Sequence, residues 1–116
     1  MMATSRMLRK TVFTLVPLLG LGLLAGSGAA EDPIIIAQRD ISFAPRSVTI
    51  KVGDQVTFRN EDPFGHNVYS PSMNGIFDIG LQDPGTETPV TFTAPGEFII
   101  QCRIHPKMRA KVLVQP

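Results

Sequence analysis

In 116 residues the sequence has one cysteine, two histidines, one tyrosine and no tryptophan. A single cysteine excludes an internal disulfide. Charge of one sign is also missing, since eleven Lys and Arg stand against ten Asp and Glu for a formal net charge of +1. With 7% aromatic residues, the chain has neither the basic excess of a nucleic-acid binder nor the composition of a disordered segment. The length allows one small domain, which excludes most multidomain enzymes. There is no internal repeat, no low-complexity tract and no helical periodicity long enough to build on.

The charge that is present is unevenly placed. Arg6, Arg9 and Lys10 precede an uncharged apolar run from Thr11 to Ala25, and every acidic residue falls at or beyond Glu31. Small residues, Gly26 to Ala30, close the run, so residues 1–30 are expected to be a secretory signal peptide cut after Ala30. An uncleaved anchor is the competing reading, because the apolar span is near the lower limit for crossing a bilayer. No Arg-Arg pair occurs, so a twin-arginine route is not expected. Cleavage leaves residues 31–116 with eight Lys or Arg and ten Asp or Glu, a net charge of −2. This mature chain is expected to be periplasmic or otherwise exported, monomeric, and free of any membrane span. Export makes Cys102 conspicuous, because a lone thiol in an oxidising compartment pairs with another chain unless something protects or uses it.

From Pro33 onward short β-branched runs alternate with turn signals, which predicts an all-β domain. Strands are expected over Ile34–Ala37, Ser47–Val52, Gln55–Arg59, His66–Ser70, Pro89–Thr93, Glu97–Cys102 and Ala110–Gln115. Val48, Ile50 and Val52 alternate with Thr49 and Lys51, and Val56 and Phe58 with Thr57 and Arg59, so each of these strands buries one face. Gly53-Asp54 reads as a hairpin connection or as a crossing between two sheets. So many short strands in so short a chain favour a two-sheet Greek-key β-sandwich, since one open sheet would leave a face wet. Residues 71–84, rich in Gly, Pro, Asp and Ser, read as a long connection packed over the core with a helical turn.

The chemistry concentrates near the C-terminus. Cys102, His105 and Met108 place a thiol, an imidazole and a thioether in seven residues with spacing Cys-x-x-His-x-x-Met. A loop this short closes around one centre at little entropic cost. The other histidine, His66, starts a predicted strand and supplies a fourth ligand. Two imidazoles and a thiolate with a weak axial thioether match a blue-copper electron-transfer site, whereas zinc prefers four firm ligands and rarely takes methionine. Such a set leaves no open position for a substrate, which disfavours catalysis at the metal. Each residue alone has an ordinary reading as core filler or surface histidine; together they point to one copper ion.

Val52–Phe58, His66-Asn67-Val68, Ala94–Phe98 and Cys102–Val112 together resemble the cupredoxins, the type 1 blue copper proteins. Within these plastocyanin-like proteins the compact ligand loop resembles that of the amicyanin group. The resemblance implies His66, Cys102 and His105 as equatorial copper ligands and Met108 as the long axial one. It also implies that Asn67 ties the ligand loops together and donates its backbone N–H toward the Cys102 sulfur. The outer edge of His105 becomes the electron port under an apolar patch of Phe64, Pro106 and Ile104. Arg103, Lys107 and Arg109 form a basic rim that steers an acidic partner, with Glu61 and Asp62 near His66. The implied partners are redox proteins, an amine dehydrogenase as donor and a c-type cytochrome as acceptor. Two other functions stay open: a periplasmic copper carrier or storage protein, and a mononuclear copper oxidase, which would require an open coordination position.

Overall fold

The computed structural model describes residues 31–116 throughout, together with Val12, residues 14–17, Gly20 and Gly22. The expected signal segment therefore lies, apart from those few positions, outside the described residues. Nine strands follow in chain order: β1 Ile34–Arg39, β2 Ser42–Ala44, β3 Ser47–Lys51, β4 Gln55–Asn60, β5 His66–Ser70, β6 Phe77–Gln82, β7 Glu87–Thr91, β8 Gly96–Gln101 and β9 Arg109–Gln115. They form a four-stranded sheet in the order β2-β1-β4-β7 and a five-stranded sheet in the order β3-β9-β8-β5-β6. This is the predicted Greek-key sandwich. There is no helix among the described residues, so none is long and apolar enough to cross a membrane.

The alternation read from the sequence decides what faces inward. In β4 Val56 and Phe58 are wholly buried, and parallel pairing with β1 sets Ile36 beside Phe58. On the facing sheet Phe98 and Ile100 of β8 and Ala110, Val112 and Val114 of β9 supply the other half of the core. The period of two does not stop where the strands stop. Cys102 continues the buried face of β8, Met108 continues that of β9, and His66 shares its face of β5 with Val68 and Ser70.

Gly53-Asp54 proves to be a crossing, because β3 and β4 lie in different sheets. Gly53 takes a φ of +94° there, and its N–H bonds to the Phe92 carbonyl at 2.8 Å. The expected strand at Pro89–Thr93 starts two residues earlier, at Glu87. Pro89 fits within β7 because that strand is at a sheet edge, where a missing N–H need not break a ladder.

The connection expected over residues 71–84 is corrected by the structure, which has no helical turn there but a strand, β6, along the edge of the five-stranded sheet. Its signal is blurred for physical reasons. Gly80 has a φ of +76°, the register with β5 shifts between Asn67 and Tyr69, and Leu81 is exposed, so the apolar alternation of Phe77 and Ile79 is interrupted. Strand β2 also escapes the sequence, being three residues long and followed by Pro45. A tight turn joins it to β1, with Asp40 and Ile41 at φ of 54° and 55°.

Candidate metal centre

The site gathers at one end of the sandwich because β5 begins there and its antiparallel neighbour β8 ends there. The β5–β8 pairing is marked by Tyr69 opposite Gln101, and one step beyond it stands Cys102. The seven residues from Cys102 to Met108 then link β8 to β9. The loop is held by a bond from the Met108 N–H to the His105 carbonyl, 2.9 Å.

The structure brings together three of the four predicted ligands as a donor cluster. One ligand atom each from His66, Cys102 and His105 lie within 4.8 Å of one another. His66 Nδ1 is 3.1 Å from His105 Nδ1, and Cys102 Sγ is 3.8 Å from the same His105 atom. An ion bound at about 2.0 Å by nitrogen and about 2.3 Å by sulfur needs donors separated by about 3–4 Å, which these distances supply. His66 is fully buried, Cys102 nearly so, and His105 half-buried. Met108, at 1% exposure, lies in the same buried apolar cluster as Cys102.

Asp62 decides which His66 nitrogen is free. Its carboxylate lies 2.7 Å from His66 Nε2 and also accepts the N–H groups of Asp40, at 2.7 Å, and Ile41, at 3.0 Å. Burial works to raise this carboxyl, but the hydrogen bonds from His66 and from the Ile41 and Asp40 amides outweigh it and hold the group below its ordinary value. As a carboxylate it requires the proton on Nε2, which leaves the Nδ1 lone pair directed at the cluster. A metal-binding imidazole is commonly fixed in this way, by a carboxylate on its other nitrogen. The donor set therefore fits a thiophilic transition ion such as copper. Sequence reasoning placed Asp62 among surface charges beside His66; its burial could not be read because its contacts span 21 and 22 residues.

Asn67 takes the part expected of it. Its backbone N–H donates to Cys102 Sγ at 3.3 Å, and its Oδ1 accepts the Arg103 N–H at 3.2 Å. Around His105 the structure assembles the expected apolar surface from Phe64, 40% exposed, Ile104, 51%, and Pro106, and adds Ile41 from the β1–β2 turn. The Phe64 ring lies 5.3 Å from that of His66 and 5.9 Å from that of His105, between centroids. Of the predicted basic rim, Arg103 is exposed but paired with Asp78 at 2.8 Å, and it lies over the Tyr69 ring, 4.0 Å from its centroid. Arg46 adds a further cation, lining a cavity of about 120 Å³ with Lys107, Met108 and Arg109. None of those three cations forms an ion pair among the described residues.

Comparison with known proteins agrees with this geometry. The profile of the copper binding proteins of the plastocyanin/azurin family matches residues 30–115. The methylamine utilization protein MauL of Methylophilus methylotrophus is 33% identical over an alignment of 130 positions including gaps, covering 98% of this chain and 75% of its own. Amicyanin of Paracoccus denitrificans is 29% identical over 96 residues, covering 78% of this chain and 72% of its own. A Cu(I) structure of an amicyanin mutant superposes with a TM-score of 0.68 at 26% identity, over 74% of this chain and 85% of that one.

Proposed function

The chain belongs to the plastocyanin/azurin family of copper-binding proteins, and from that premise we propose that it is an exported, amicyanin-like carrier of single electrons. His66, Cys102 and His105, together with Met108, would hold one copper ion. The chain's likeness to plastocyanin and amicyanin supports an electron carrier and not an enzyme. Bound copper supplies the Cu(II)/Cu(I) couple.

The chain's own residues do the rest. Asp62 holds the His66 ring in one orientation, the buried faces of β8 and β9 hold Cys102 and Met108, and the half-buried His105 presents the outward edge. A donor set fixed in this way changes little between oxidation states, which favours fast transfer. The observation that carries the reading is the convergence of one buried thiol and two imidazole Nδ1 atoms, one of them directed by a buried carboxylate.

Visible and electron paramagnetic resonance spectra of the Cu(II)-loaded protein test it, beside Cys102→Ser. An intense blue charge-transfer band with narrow copper hyperfine splitting, lost in the mutant, is expected. A colourless protein, or ordinary tetragonal copper signals, would hand the function to the carrier or a zinc site. Ready release of copper to an acceptor would likewise favour the carrier over the shuttle.

Partners follow from the same likeness. Similarity to amicyanin and to a methylamine utilization protein supports an amine dehydrogenase donor and a c-type cytochrome acceptor. Arg46, Lys107 and Arg109, with no ion-pair partner among the described residues and near the apolar face, would steer an acidic partner, so the bimolecular rate should fall as salt rises. Export by residues 1–30 is tested by the mass of the secreted protein, which should begin at Glu31.

A further inference from the structure

We propose that Asp78 and Arg103 form a positioning clamp that sets the hydrogen bond received by the Cys102 sulfur. The effect on the metal rests on the copper reading above, while the geometric part stands without it.

The Asn67 backbone N–H is the donor that reaches Cys102 Sγ. The stretch of β5 that carries it is irregular, since the register with β6 shifts between Asn67 and Tyr69. The Asn67 side chain supplies the missing restraint. Its Nδ2 donates to Asp78 Oδ1 and to the Gly80 carbonyl, both at 2.8 Å, and its Oδ1 accepts the Arg103 N–H. Asp78 closes the figure, because its Oδ2 accepts the Arg103 Nε–H at 2.8 Å while its Oδ1 also takes the Gly80 N–H at 2.8 Å. Asn67, Asp78 and Arg103 thus form a closed triangle of hydrogen bonds drawn from β5, β6 and the ligand loop. Cys102 is the immediate chain neighbour of one corner and the hydrogen-bond acceptor of another.

Stability alone does not account for this arrangement. The Arg103 and Asp78 side chains are 61% and 39% exposed, and ion pairs in that setting contribute little. Arg103, Gly80 and Asn67 hold the Asp78 carboxyl below its ordinary value, so it remains an acceptor at neutral pH. The Gly80 φ of +76° belongs to the turn that brings its N–H and carbonyl to this triangle. What the clamp controls is position: it fixes the Asn67 peptide against the sulfur. An N–H donated to a thiolate withdraws electron density from it, favours the reduced metal and raises the reduction potential.

The test uses Asp78→Ala, Asp78→Asn and Arg103→Ala in the purified protein, with two readings. In the metal-free protein, hydrogen exchange at the Asn67 amide should quicken by about tenfold or more in Asp78→Ala. In the copper-loaded protein the midpoint potential should fall and the sulfur-to-copper band should shift. Asp78→Asn should recover most of both, because its Oδ1 still accepts from Asn67 and Gly80, and Arg103→Ala should fall between. A folded Asp78→Ala with unchanged Asn67 exchange and unchanged potential would overturn the clamp. If Asp78→Ala does not fold, Arg103→Ala decides by the same two readings. If the parent protein shows no blue band, the copper reading fails, and exchange at Asn67 alone decides the clamp.

Discussion

The two histidines of the centre share a ligand atom type and differ in how they are held. His66 opens a strand, is wholly buried and has its Nε2 fastened to Asp62, which is itself fastened to the β1–β2 turn. His105 sits in the middle of the seven-residue loop, is half-buried between exposed Ile104 and Pro106, and has no bond on its Nε2 among the described residues. One ring is held by the fold and the other is presented by a loop. A centre that must keep its shape and also pass electrons outward divides those tasks between two copies of one residue type.

The sharpest way to break that contrast is to remove the fastening. In the metal-free protein Asp62→Ala should cost on the order of 3 kcal/mol in urea unfolding, because the buried His66 ring and two backbone N–H groups of the β1–β2 turn lose their acceptor at once. Next comes the pair of histidines themselves: His66→Ala should cost about 2–3 kcal/mol by leaving a cavity in the buried end, while His105→Ala should stay within about 1 kcal/mol. Equal losses at the two positions would erase the distinction.

Acid should probe the same fastening more gently. The folded Asp62 carboxyl titrates below its ordinary value. The unfolded chain therefore binds the proton first as pH falls, and stability rises with pH through that window. The contribution is complete above the unfolded value and is lost as pH drops through the lower folded one. Urea midpoints should thus fall between pH 5 and pH 3, and fall less steeply in Asp62→Asn. The smallest effect is expected from Arg103→Ala, within about 1 kcal/mol of the parent, since its ion pair with Asp78 is exposed.

The four proposed ligands were legible because their chemistry is local in sequence for three of them and the chain has no other histidine for the fourth. The sandwich was legible wherever one strand face is buried, as in β3, β4, β8 and β9. What stayed hidden has a common cause. Strand β6 lies at an edge with half its side chains wet, so the pattern that marks a strand is thin there, and Asp78 was hidden with it. Asp62 was visible as a charge near His66 but not as a buried acceptor, and Arg46 was not visible as a neighbour of the ligand loop, because the contacts that bury the one and place the other are distant in sequence. Burial of a charge is written in tertiary structure, and a single sequence records only its presence.

The outer strands carry one more consequence. Of the four outer strands, β2 has three residues, β7 contains Pro89 and β6 has an irregular register around Gly80, while β3 is regular but only five residues long. A sheet margin cut short or broken in this way is a poor template for an added strand from another chain. A shuttle must meet a donor, let go, and meet an acceptor. Under the proposed carrier function, margins that discourage lasting main-chain pairing would leave the small face around His105 for brief encounters, so that release would be as easy as approach.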